Sequence, residues 1–146
     1  MSKSAKKILN KWFSLYIRLR DALEFHKETG ADISFGRCCS CGKIVQWKYA
    51  DCGHYISRDL GGNSGVYFDE RNAHLQCKIC NAFRQGAPKE YEQFMLKKYG
   101  QKVVDELHIK HKTHTYNQKE IVGLGIYYKQ EYENLCKTVS LELKTE

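Results

Sequence analysis

Acidic residues are missing from the first twenty positions of this sequence, although Lys3, Lys6, Lys7, Lys11, Arg18 and Arg20 all fall there. Proline is nearly absent as well. Pro88 is the only one, and no internal repeat, low-complexity tract or linker-like stretch interrupts the chain. That argues against a string of domains on flexible spacers and for one domain with helical extensions. No run approaches the ~20 apolar residues that a membrane span needs. The N-terminus lacks the apolar centre of a signal peptide, so a cytoplasmic protein is expected.

What the sequence has is positive charge and cysteine. A formal net charge of +7 fits a polyanionic partner, because each Lys or Arg that meets a phosphate releases condensed counterions. The seven cysteines are an odd count, so at least one stays unpaired under any disulfide scheme. In a reducing cytoplasm their pattern points to metal.

Residues 4–28 are expected to form an amphipathic helix, with Ile8, Trp12, Leu15, Leu19 and Leu23 on an apolar stripe and Lys7, Lys11, Ser14 and Arg18 on a polar one. Residues 29–37, with two glycines, read as a connection. Lys43–Tyr49 and Gly53–Arg58 read as strands, Leu60–Gly65 as a mobile loop, and Phe68–Leu75 as the lead into a helix starting near Cys77. Pro88 suits the first turn of a helix over Lys89–Tyr99 that Gly100 ends. A short helix, Lys102–His108, and a long one, Gln118–Leu141, follow, the latter weakened at its start by Gly123 and Gly125.

Two C-x-x-C pairs, Cys38/Cys41 and Cys77/Cys80, carry the strongest signal. Two intervening residues let both thiolates of a pair reach one tetrahedral ion. Four thiolates fill its coordination sphere, so a Zn²⁺ held this way is structural and has no open position. Thirty-five residues separate Cys41 from Cys77, against about 15–20 in a simple zinc ribbon. The zinc is therefore expected to clamp the two ends of an insert. Cys39, Cys52 and Cys136 are left as small buried residues, with Cys39 a competitor for the ion.

The insert contains Asp51-Cys52-Gly53-His54-Tyr55 and closes with Arg71-Asn72-Ala73-His74-Leu75-Gln76-Cys77-Lys78-Ile79-Cys80-Asn81. Here the chain resembles the HNH, or ββα-metal, nucleases, with a His on the first strand pair, an Asn entering the helix, and a His or Asn just after the second C-x-x-C. His54, Asn72 and Asn81 match those places. Together with Tyr16-Ile17-Arg18-Leu19-Arg20-Asp21-Ala22, these pieces, in order over roughly residues 8–100, resemble the phage NinG family, also called Rap. That resemblance implies an α+β fold. A small zinc-stapled ββα-metal (HNH-like) core over residues 36–87 would be flanked by a basic N-terminal helix (1–30) and a C-terminal helical region (88–146). It also implies a role in recombination inside a bacterial host cell, with cleavage of branched DNA such as D-loops and Holliday junctions. Symmetric resolution of a four-way junction needs two active sites and so suggests a homodimer, with the C-terminal helix as a dimer or DNA element.

The chemistry can be stated physically. Phosphodiester hydrolysis needs an activated water and a neutralised leaving oxygen. A histidine near its reference pKa of ~6.5 can take the water's proton at neutral pH, a role assigned to His54. A catalytic Mg²⁺ or Mn²⁺ would sit on the scissile phosphate and the leaving oxygen. Asn72 would hold the His54 ring, Asn81 would ligate through its carbonyl oxygen, and Arg58 and Arg84 would grip phosphates. Lys7, Lys11 and Arg18 would lie along the DNA. Many HNH members carry an acidic ligand immediately before the histidine, where this chain has Gly53. Asp51 and His74 are the rival candidates for that ligand. Along a regular strand Asp51 and His54 would point to opposite faces, and a bulge at Gly53 could unite them. His108, His111 and His114 are read as a solvated basic helix end rather than a second metal site. The alternative function is a non-catalytic zinc-containing module that binds DNA or RNA. A redox protein using its thiols would explain neither the histidines nor the basic helix.

Overall fold

The computed structural model describes residues 3–57 and 64–144. Arg58 and most of the Leu60–Gly65 loop lie outside them. Helix α1 (Lys3–Thr29) extends one residue beyond each predicted end. It stops at Gly30, whose φ of 75° lets its N–H reach back to the His26 carbonyl at 2.8 Å. The face it buries is Leu9, Phe13, Ile17, Leu19, Ala22, Leu23 and Phe25. The predicted stripe is therefore off by one over the first turns. Ile8 is 51% exposed, because α1 packs against a second long helix on one side and strands on the other. Its buried arc is wider than a single stripe.

That second helix is α4 (Gln118–Lys144). It forms despite Gly123 and Gly125 because Asn117 and Glu120 make a capping box. The Glu120 N–H donates to Asn117 Oδ1 at 2.9 Å, and the Asn117 N–H reaches Glu120 Oε1 at 3.5 Å. Gly125 is buried against Ile8 and Leu9 of α1. Leu9, Phe13 and Ile17 meet Ile121 and Tyr128 in one apolar cluster, and Leu19 and Ala22 meet Trp47, Ala50 and Leu75 in the next. Each fully buried Leu, Ile or Phe stabilises by about 1.5–3 kcal/mol relative to exposure.

The strands form two small antiparallel sheets, giving an α+β fold. β1 (Phe35–Arg37) pairs with β2 (Ile44–Gln46), opposing Gly36 to Val45. β3 (Asp51–His54) pairs with β4 (Ala73–Gln76), opposing Asp51 to Gln76 and His54 to Ala73. Several sequence readings change here, and the strand read over Gly53–Arg58 starts at Asp51 and ends at His54 instead. β1 lies within the stretch read as a connection. The strand read over Lys43–Tyr49 is only three residues long and passes into a 3-10 turn, Trp47–Tyr49. The segment read as leading into a helix, Phe68–Leu75, holds a 3-10 turn, Glu70–Asn72, and then enters β4, all four residues of which are buried. Full burial removes the period-two alternation that marks a strand. After Cys77 comes a single π turn, Ile79–Phe83, closed by the Arg84 N–H on the Ile79 carbonyl at 2.9 Å, and not the expected α-helix.

Helix α2 (Pro88–Tyr99) begins at the proline as read. Helix α3 (Gln101–Thr113) runs five residues past the predicted end. Their apolar faces enclose Val66, Tyr91, Met95, Val104 and Leu107. The whole is fastened by Arg20 and Asp21, an ion pair at 2.9 Å. Arg20 donates to the carbonyls of Glu70 and Ala73, while the second Asp21 oxygen accepts the Leu75 N–H at 2.7 Å. The half-buried pair is thus fully hydrogen-bonded, which offsets its desolvation. Among the described residues no helix is long and apolar enough to cross a membrane.

Candidate functional site

The loop joining β1 to β2 carries Cys38 and Cys41, and the turn after β4 carries Cys77 and Cys80. Gly42, at φ 77°, lets the loop double back so that its N–H bonds the Cys38 carbonyl at 3.0 Å and the Cys38 N–H bonds Lys43. Only glycine takes that backbone freely. The four sulfurs all lie within 4.8 Å of one another, and Cys41 and Cys77 are 3.8 Å apart. Zn–S bonds of ~2.3 Å give a tetrahedral edge of about 3.8 Å, so the donor set fits Zn²⁺. Cys38, Cys77 and Cys80 are buried and Cys41 is exposed. Burial works to raise the Cys41 thiol, but the Lys43 N–H and the neighbouring thiols outweigh it and bring it below its ordinary value. Cys39 is outside this group. It lies among residues packed on the α2–α3 cluster, and burial pushes its thiol up. Among the described residues these four form the one cluster of His, Cys, Asp or Glu close enough to hold an ion.

The second centre is an open cleft of about 650 Å³ between α1, the Trp47–Tyr49 turn and β3. Asp51, His54 and Asn81 line it together, with Phe13, Arg18, Lys48, Tyr67 and Lys78. Among the described residues β3 pairs with β4 alone, and Asp51, Cys52 and His54 of β3 all border this space. No bulge is needed to unite Asp51 with His54, since the register runs unbroken from Asp51 to His54. The Asp51 carboxylate accepts from Asn81 Nδ2 at 2.9 Å and from Lys78 Nζ at 2.7 Å. His54 is stacked on Tyr67, with ring centroids 3.9 Å apart and planes 13° from parallel, and lies near Phe13 on a second side at 6.2 Å. The close stack on Tyr67 holds the plane of the imidazole.

Asn72 does not touch the His54 ring in any bond we observe. Fully buried, it grips the backbone two residues on, with Oδ1 accepting the Ile56 N–H at 2.8 Å and Nδ2 donating to the Ile56 carbonyl at 2.9 Å. Its own carbonyl accepts the Tyr55 N–H at 2.9 Å. It therefore positions the end of β3, and His54 with it. Gly53 has a plain steric reason. A Cβ there would run into the Gln76 side chain, so an acidic residue cannot stand immediately before His54.

The two rivals for the acidic ligand part company. His74 is 1% exposed, with Nδ1 on the Tyr91 hydroxyl at 3.1 Å and Nε2 on the Tyr99 hydroxyl at 2.8 Å. Burial, then the charges of Arg20 and Lys98, hold its imidazole well below 6.5. Both nitrogens are committed to tyrosines, and His74 does not line the cleft. The three spaced histidines also have separate partners: His108 with Tyr55, His111 with Ser64 and His114 with Glu120.

Of the residues read as DNA contacts, Arg18 is turned inward. Its guanidinium donates to the carbonyls of Trp47 and Lys48, both at 3.0 Å, and its Nε to Ser14. Burial lowers its pKa. Lys7 and Lys11 are exposed on α1, with the Lys11 ammonium 4.7 Å from the Trp12 ring centre, and Arg84 is exposed after the π turn. Lys48, Lys78 and Tyr67 line the cleft although the sequence reading did not single them out. Lys78 had a signal, since it lies inside the second C-x-x-C, but Tyr67 had none.

The fold and site define a small α+β protein with four clustered cysteines able to hold a metal ion and a separate open polar cleft. The family described as Bacteriophage Lambda NinG protein matches residues 1–140, and the chain belongs to that family. It is 34% identical over 100 residues to Protein ninG of Escherichia phage 933W and, equally, to that of Salmonella phage P22, covering 67% of this chain and 47% of each relative. Protein ninG of Escherichia phage lambda is 33% identical over the same length and shares. The chain thus spans about half the length of the curated relatives it matches. No solved structure matches it.

Proposed function

We propose that this chain is a metal-dependent DNA endonuclease of the HNH-like, ββα-metal kind, acting on branched DNA such as D-loops and Holliday junctions. The substrate class rests on the family resemblance. The observation that carries the reading is the cleft: Asp51, His54 and Asn81 share it with three cationic side chains, Arg18, Lys48 and Lys78. A single carboxylate among these cations leaves a surplus of positive charge, which suits a phosphate backbone.

In this reading a ring nitrogen of His54 accepts the proton of the attacking water, its plane held by Tyr67. Lys48 and Lys78 hold phosphate oxygens. The Asp51 carboxylate and the Asn81 carbonyl are hard oxygen donors that suit Mg²⁺ or Mn²⁺. When bound there, the ion would supply Lewis-acid neutralisation of charge on the leaving oxygen. Asn72 keeps the end of β3 in place, and the four-cysteine site does no chemistry.

The test is to incubate the protein with branched and linear duplex DNA, with and without Mg²⁺ or Mn²⁺, alongside His54→Ala. Metal-dependent nicking lost in the variant is expected. Nicking that is unchanged in His54→Ala overturns the mechanism. One observation favours a second reading, a non-catalytic zinc module that binds DNA or RNA: Lys78 already neutralises Asp51 at 2.7 Å. Tight binding without cutting under every metal would support it.

A further inference from the structure

Tyr49 is 72% exposed, although the turn that carries it is fastened by hydrogen bonds on both sides. Trp47, two residues before it, is buried, and its N–H bonds the Ser34 carbonyl at 3.1 Å. The Arg18 guanidinium gathers the carbonyls of Trp47, Lys48 and Ala50. A half-buried cation thus fixes the backbone on both sides of an aromatic ring left in water. A lone exposed tyrosine means little. The position of this one means more, because Tyr49 borders two hollows at once. One is the cleft of Asp51 and His54. The other, of about 280 Å³, is lined by Val45 and Ile79 as well as Lys43 and Lys78. No acidic side chain lines the second hollow.

A rigid aromatic beside an aliphatic-walled slot, ringed by lysines, has the chemistry of a single-strand site. Every base offers a π face to stack, while the lysines track the phosphates. A duplex keeps its bases stacked inside and has none to offer. We propose that Tyr49 is a stacking platform for an unpaired nucleotide next to the cleft, so that the protein selects DNA in which single-stranded residues adjoin the bond held at His54. This rests on reading the cleft as a DNA site, and among the branched DNAs it favours D-loops, which carry unpaired strand, over fully paired four-way junctions.

The test is binding, without added Mg²⁺ or Mn²⁺, so that it stands apart from cutting. Two probes are used, a fork with unpaired arms carrying 2-aminopurine next to the junction and a blunt duplex of equal length. Tyr49→Ala is expected to weaken fork binding about five- to a hundredfold and to abolish the 2-aminopurine quenching. Duplex binding is expected to hold, and Tyr49→Phe to keep both signals. Fork affinity unchanged in Tyr49→Ala, or an equal loss on fork and duplex, overturns the proposal. If the wild-type protein binds neither probe, the DNA reading of the cleft falls with it. If it binds the fork as proposed but never cuts, stacking stands and the nuclease reading fails.

Discussion

The two polar centres of this protein are built on opposite plans. The four-cysteine site buries three of its four thiols and its donors are identical. Its sulfurs lie within 4.8 Å of one another, so an ion there can do nothing but join two loops. The cleft is open, its donors are mixed, and its one carboxylate is held by an amide and an ammonium that other groups can replace. The closed site makes the open one possible. Lys78 and Asn81 reach Asp51 from the turn that Cys77 and Cys80 anchor, so the thiols position half of the cleft without entering it.

The sharpest way to break the comparison is Cys77→Ser. Structural zinc supplies on the order of 10 kcal/mol in small motifs, which rivals the whole stability of an ordinary domain. Metal analysis should find one zinc per chain in the wild type and none in the variant, and thermal unfolding should show the cooperative transition lost. A stable, zinc-free Cys77→Ser protein would mean that the thiols are merely buried. His54→Ala should separate the two centres the other way. Cutting is expected to fall about 10²- to 10⁴-fold with zinc content unchanged.

Asn72→Ala should sit between these extremes. It leaves the Ile56 N–H and carbonyl without their partner, at a cost of roughly 2–4 kcal/mol by urea unfolding, and cutting should decline because the end of β3 loosens. The smallest effect belongs to His74. Its folded-state pKa is depressed by burial and neighbouring cations, so the unfolded chain takes a proton below about pH 6.5 that the folded state refuses. Its stabilising contribution is therefore complete above that pH. It is lost as pH falls toward the folded-state value, by up to about 1.4 kcal/mol per unit. Urea titrations from pH 7.5 to 5 should show the slope, and His74→Gln should flatten it.

Long elements with their own end signals were legible. Helix α1 keeps its apolar period over 27 residues, and Pro88 and Gly100 bracket α2. Short buried strands were not. All four residues of β4 are buried, and without exposed positions there is no alternation to read. The helix expected after Cys77 shrinks to a π turn. Beyond it Gln85, Gly86 and Ala87 all take positive φ, and the Gly86 N–H is bound to the carbonyls of Cys80 and Asn81. Two of those three residues are not glycine, so no composition signal marks the turn.

By itself the sequence determined the four-thiol cluster, because two cysteines separated by two residues can both reach one tetrahedral ion, and two such pairs complete its coordination. It also placed His54, Asn72 and Asn81 against those cysteines. Only the tertiary structure put Asp51 on the cleft and His74 between two tyrosines. That placement depends on which side of β4 receives Tyr91 and Tyr99 and on which edge of β3 stays open, and both follow from how helices and strands pack across the chain. The same packing turned Arg18 from a surface cation into the brace beneath Tyr49. A long side chain serves the phosphate or the backbone according to which carbonyls lie within reach, and spacing along the chain does not record that.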